Sequence, residues 1–340
     1  MRIWVSALPA AAVISAIGLI GATIEAQSTA ASPNAAAAAA TPRTSWGHPD
    51  LQGVWDYRSI TPLERPRQFG DRAFLTPEEV KTMEDRAAKR MDEAPPEDEP
   101  AGTIHAAYWT DPGRKVTEDH RTSLIIDPSN GRMPELTPAA QARSAAGGRG
   151  GRGGRGGRGG RPGGRADSWL DRSVLERCIA WGLPTAILPG LYNNNIRIVQ
   201  TPTSVAIVHE MVHDTRVIPL DGQPKLTDSI RQWMGNSRGY FDGDTLVVET
   251  TNFSNNTSYR GATPNMRLVE RFTRVDEDTI DFKLTVEDPE TWVAPWTASF
   301  LMRPSEGELF EYGCHESNYG LRNILEVARD EEKAAAVDGK

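Results

Sequence analysis

From Ile280 to Val286 the chain alternates strictly: Ile280, Phe282, Leu284 and Val286 are apolar, while Asp281, Lys283 and Thr285 between them are polar. Successive side chains of an extended strand point to opposite faces, so a period of two predicts a strand with one buried and one wet face. Trp292, Ala294, Trp296, Ala298, Phe300 and Met302 repeat the period, and Asp288-Pro289 separates the two runs as a turn. So short a connection can join only antiparallel neighbours, because a parallel crossover needs about a dozen residues. Further strands are expected over residues 196–201, 205–211, 215–220, 245–251, 266–274 and 309–314, with bends at Asp221-Gly222, Asp242-Gly243 and Glu306-Gly307. The fold class that follows is mainly β, an antiparallel meander forming a barrel or a sandwich.

Two or three peripheral α-helices complete this architecture. Thr76-Pro77-Glu78-Glu79 offers an N-cap, a first-turn proline and a capping-box glutamate, followed by Val80, Met83, Ala87 and Met91 at helical spacing. A second helix is expected over 168–181, with Leu170, Val174, Cys178 and Trp181 on one stripe and Gly182-Leu183-Pro184 ending it. A third is expected over 321–335.

The termini carry different information. Arg2, an apolar run to about Ile24 and small residues after it predict a signal peptide over 1–26, hence a periplasmic or secreted protein. An uncleaved anchor is the alternative, since the run approaches the roughly 20 residues that span a bilayer; after cleavage no integral membrane span is expected. Residues 27–44 are Ala-rich and lack large side chains, so they read as a disordered linker. One β-rich domain is expected over 45–330, interrupted by a disordered Gly-Arg loop over 144–166 and followed by a flexible tail over 331–340. Arg149, Arg152, Arg155, Arg158 and Arg161 stand at period three in that loop. The net charge of −8 already includes them, so the remainder is more acidic still and no nucleic-acid partner is expected. Cys178 and Cys314 are the only cysteines. Export permits a disulfide between them; two separate buried thiols are the other reading.

His209-Glu210-Met211-Val212-His213 matches the H-E-x-x-H pattern of zinc peptidases. The surrounding β-branched residues predict a strand, however, on which residues four apart lie about 13 Å from one another. A bend between them, or His315 arriving from a neighbouring strand, would be needed to bring His209, His213 and His315 to one zinc ion. No cofactor is otherwise expected. Cys314 and His315 are adjacent and would face opposite sides of a strand, which excludes them as a nucleophile and base pair.

Polar residues within apolar strands supply the remaining candidates. Glu270 shares a face with Leu268 and Phe272, and Glu249 sits beside Val247. Buried, such carboxylates need counter-charges and commonly line a pocket; on the outer face of a barrel they would simply be solvated. The acid–base candidates are therefore His209, Glu210, Glu249, Glu270 and His315. The ligand-binding candidates are Asn194, Arg216, Trp233, Arg238, Trp292, Trp296 and Glu311.

The opening Gly53-Val54-Trp55 resembles the Gly-x-Trp of lipocalin-type barrels, in which a tryptophan on the first strand plugs one end. More broadly, stretches such as HPDLQGVWD, LPGLYNNNIRIVQTP, SRGYFDGDTLVVETTNF and EDPETWVAPWT resemble a large family of exported bacterial proteins without an assigned activity. The resemblance covers His48 to about Ala328, interrupted at the Gly-Arg tract. It implies export and a single folded unit, and it brings no catalytic residues. It also implies other residues at the positions of His209 and His213, which weighs against zinc. The leading functional expectation is a lipocalin-like barrel binding a small, partly apolar or aromatic molecule. The alternatives are a hydrolase, lyase or isomerase using Glu and His, and a non-catalytic envelope protein whose Gly-Arg loop contacts acidic polymers.

Overall fold

The computed structural model describes residues 41–93, 110–148, 166–257, 259–316 and 318–338, all within a compact unit that spans Ala39–Lys340. The expected signal peptide and most of the Gly-Arg tract lie outside the described residues. Among the described residues ten strands make one sheet: β1 (Gly53–Asp56), β2 (Ile125–Asp127), β3 (Asn195–Gln200), β4 (Ser204–His209), β5 (Thr215–Pro219), β6 (Asn236–Asp242), β7 (Thr245–Thr251), β8 (Arg267–Asp276), β9 (Thr279–Glu287) and β10 (Trp296–Pro304). Their order is β5-β4-β3-β1-β10-β9-β8-β7-β6, with β2 also paired to β10, and every pairing is antiparallel.

The sheet curls until its two end strands meet. A Cβ on Gly239 of β6 would lie 2.8 Å from Ile218 of β5 and 2.9 Å from Leu220, so the seam closes by direct packing where only glycine fits. The result is a nearly closed, barrel-like sheet. Its filling follows from the period-two pattern: Phe272, Phe282 and Phe300 are register partners on β8, β9 and β10, with ring centroids 4.8 and 5.0 Å apart. Leu268, Ile280 and Met302 are fully buried beside them. Trp55 lies opposite Pro304, at the end where β10 finishes. Its indole N–H donates to the Leu51 carbonyl at 2.9 Å, and the Arg274 guanidinium stands 4.9 Å from its ring.

Among the described residues there are three α-helices. Helix α1 (Pro77–Asp92) starts where expected, with Thr76 and Glu79 in a reciprocal capping box. Helix α2 (Pro138–Gly148) was not expected. Helix α3 (Tyr319–Asp338) begins earlier and continues well into the stretch assigned to a flexible tail. The helix expected over 168–181 is absent: a single turn, Trp169–Asp171, is capped by Ser168, and the chain becomes extended at Arg172. Ser173 then bonds Glu176 locally and Cys178 takes a φ of 55°, so short polar side chains and a disulfide override the apolar stripe. The strand expected over 309–314 is coil, because β10 already has β1, β9 and β2 as partners and offers no free edge. Strand β6, with its central glycine and few β-branched residues, went unrecognised. Order also begins before 45, since Arg43 bridges to Pro49 and pairs with Asp244. Among the described residues no helix is long and apolar enough to cross a membrane.

Candidate functional site

Strand β4 ends at His209, two residues short of the expected boundary, and the chain reverses before β5. Val212 and His213 take φ values of 60° and 54° in that turn. The H-E-x-x-H residues therefore straddle a bend, and the bend separates the histidines. His209 is fully buried in the barrel, whereas His213 is turned away and its Nδ1 accepts the Tyr312 backbone N–H at 3.0 Å. His315 is exposed in the coil before α3. Among the described residues, no group of three or more His, Cys, Asp and Glu side chains is arranged to hold a metal ion.

His209 belongs to a buried charge network. Arg216 on β5 forms a two-pronged pair with Glu270 on β8, at 2.6 and 2.8 Å, and its Nε–H reaches His209 Nε2 at 3.3 Å. Arginine offers no acceptor, so His209 Nε2 must accept and Nδ1 carries the proton. That Nδ1 lies 3.0 Å from the Ala186 carbonyl, which also accepts the Tyr57 hydroxyl at 3.0 Å. Burial, and secondarily the Arg216 charge, drive the His209 pKa down to about 3, against the Ala186 hydrogen bond, so the ring is neutral. Burial first, then the charges of Glu210 and Asp56, pushes the Tyr57 hydroxyl well above its usual range. Glu270 and Arg216 satisfy one another, and β5 is thereby tied across the barrel interior to β8.

Beside this network lies a cavity of about 410 Å³, at the end where β1 finishes and β3 begins. Its apolar walls include Leu124, Ala186, Met211 and Trp181, with Tyr57 and Tyr259 contributing rings; Asn193, Asn194 and Arg260 supply polar atoms. The shared Ala186 carbonyl thus fastens one wall of the cavity to both Tyr57 and His209. Asn194 is buried and structurally committed: its side chain accepts Gly190 N–H at 2.7 Å and donates to the carbonyls of Asp111 and Gly190 at 3.1 and 3.2 Å. Asn193 and Arg260 take φ values of 55° and 48°, and Arg260 pairs with Glu64 at 2.9 Å. Burial raises the Tyr259 hydroxyl to about 12.

Of the ligand-binding candidates, Asn194 lines this cavity. Trp292 and Trp296 are core residues in edge-to-face contact at 6.3 Å, and Trp296 meets the cavity only through Tyr259, 6.1 Å away. Arg216 is consumed by Glu270. Arg238 bonds backbone carbonyls of Gln223, Ser237 and Pro224, Trp233 sits in the β5–β6 connection, and Glu311 is exposed. Among the acid–base candidates, Glu249 faces outward to Lys225 and Arg267, and buried Glu210 accepts from Asn195 at 2.8 Å. None of His209, Glu210, Glu249, Glu270 and His315 lines the cavity.

Sequence reading missed most of the walls because residues 181–194 form no strand or α-helix, only a single 3-10 turn at Thr185–Ile187. The signal available there was the pair of turn-rich stretches Gly182-Leu183-Pro184 and Leu188-Pro189-Gly190, which mark loops, where binding residues concentrate. Cys178 and Cys314 are joined in a disulfide, with Cα atoms 5.7 Å apart, which pins the segment after β10 beside this loop. Fold and cavity together define a mainly β, barrel-like protein with an apolar and aromatic concavity at one end. No family model, curated protein or solved structure matches the chain.

Proposed function

We propose that this protein is an exported, lipocalin-like barrel that binds a small, partly apolar or aromatic molecule in the 410 Å³ cavity. The carrying observation is the lining: aliphatic and aromatic walls with a few fixed polar groups are the usual makeup of small-molecule sites. A leader of signal-peptide form and a disulfide both favour export. The Trp55 plug with Arg274 above it supports the likeness to lipocalins.

The test uses the anionic aromatic dye 1-anilinonaphthalene-8-sulfonate, followed by its own emission on binding. Saturable, one-site binding to the folded protein is expected. Met211→Trp, which adds bulk inside the cavity, should weaken it at least tenfold without lowering the melting temperature by more than a few degrees. Unchanged dye affinity in that variant would refute the site.

A further inference from the structure

A second concavity, of about 340 Å³, adjoins the first and shares Trp181 and Tyr192 with it. It is built by two segments that the disulfide holds together. From one side come Glu176, Cys178 and Trp181; from the other, the segment after β10 delivers Tyr312 and Cys314. The Trp181 and Tyr192 rings stand nearly perpendicular, 80° apart with centroids separated by 6.5 Å, and Tyr312 lines the same concavity. The position of Tyr312 is fixed by its backbone N–H on His213 Nδ1, by the bridge at Cys314, and by Asn318, which donates to the Glu176 carbonyl at 2.7 Å.

One carboxylate lines this lobe, and a buried arginine pairs with it. Among the described residues that line it, Glu176 alone is charged. Burial alone would raise the Glu176 carboxyl, but hydrogen bonds from Ser173 N–H, Arg172 and the Ser173 hydroxyl more than offset that and hold it below the ordinary carboxylate range. Arg172, whose side chain is almost wholly buried, pairs with that carboxylate and is not among the residues that line the lobe. Three electron-rich rings and one ionised carboxylate around a half-open space favour a cation that is large, weakly hydrated and able to touch ring faces. A small, strongly hydrated metal ion would need several charged ligands, and Glu176 is the one carboxylate among the described lining residues.

We propose that this lobe binds an organic ammonium group, quaternary or methylated. Trp181, Tyr192 and Tyr312 form the cage, and Glu176 supplies the counter-charge. The inference rests on the proposed ligand function in one respect: the shared Trp181–Tyr192 wall would let the same ligand place its apolar body in the larger cavity. The head-group site itself stands on the smaller lobe alone.

Choline is the probe, set against its uncharged isostere 3,3-dimethylbutan-1-ol, with the oxidised full chain titrated by calorimetry and tryptophan fluorescence. Choline should bind at one site, at least tenfold tighter than the alcohol. Tyr312→Leu should weaken it about 3- to 30-fold, the range expected for losing one cation–π contact. Tyr312→Phe should restore binding and so control for folding. Glu176→Gln should cost a similar factor and narrow the gap between choline and the alcohol. Equal affinity for the two probes, no choline binding, or indifference to both Tyr312→Leu and Glu176→Gln would overturn the proposal. Dye binding in the larger cavity of the same samples separates the outcomes: retained dye binding without choline binding rejects the ammonium site only, and loss of both rejects the ligand function as well.

Discussion

Acid should weaken this fold through His209, and the size of the effect can be worked out. In the unfolded chain the imidazole titrates near 6.5; in the folded protein burial and Arg216 lower it to about 3. Between those values the unfolded chain takes up a proton that the folded one refuses, so stability falls as pH drops, by roughly 1.4 kcal/mol per unit. The window opens below pH 6.5 and closes near 3, and the loss reaches about 2 kcal/mol by pH 5. His209→Gln removes the titration while leaving hydrogen-bonding groups at the position. Asp214, whose carboxyl burial raises against the Trp181 N–H and the Arg216 charge, has the opposite sign and favours the folded state as pH falls. It is present in both proteins, as are the remaining histidines, and cancels in the comparison. Urea unfolding followed by circular dichroism, at pH 7 and pH 5 on both proteins, is the assay. Wild type should lose about 2 kcal/mol more than the variant over that interval. Parallel losses would show that His209 is accessible to protons when folded, and would refute the buried, neutral assignment.

The pair that holds His209 should respond to single and double replacement differently. Glu270→Gln or Arg216→Met alone should cost about 3–5 kcal/mol in denaturant unfolding, because each leaves a buried partner unmatched, while Arg216→Met with Glu270→Leu should recover most of that. Gly239→Ala should cost about 1–3 kcal/mol by overpacking the β5–β6 seam, and an unchanged urea midpoint would show that the seam is looser than the 2.8 Å approach implies. The Cys178–Cys314 bridge closes a sequence separation of 136 residues, for which chain entropy predicts up to about 5 kcal/mol of stabilisation. Cys178→Ser with Cys314→Ser should lower stability toward that limit, and a loss under about 1 kcal/mol would place the bridge's role outside folding.

Strand periodicity was legible in the sequence wherever burial is one-sided. β7, β8 and β9 fall within a few residues of their expected limits because Leu246, Val248, Leu268, Phe272, Ile280 and Phe282 all point inward at period two. The α1 cap was equally local, since Thr76 and Glu79 satisfy each other's backbone without help from elsewhere. The segment over 168–181 failed for the converse reason: its apolar stripe predicts a helix, but the backbone is set by Ser168 and Ser173 and by a bridge to a residue far along the chain.

Composition and spacing alone therefore determined an antiparallel, mainly β chain, its turns at Asp242-Gly243 and Asp288-Pro289, and the polar residues that do not belong in an apolar strand. Which of those residues face each other was decided by barrel closure. Arg216 and Glu270 lie on β5 and β8, far apart in the strand order, and meet only because the sheet curls until its ends touch. The same closure turns Glu249 to solvent, leaves Trp292 and Trp296 in the core, and gathers the cavity walls from loops without any period to read. A strand's pattern records which side is buried; it carries no information on what lies across the interior, because that depends on curvature summed over every strand between.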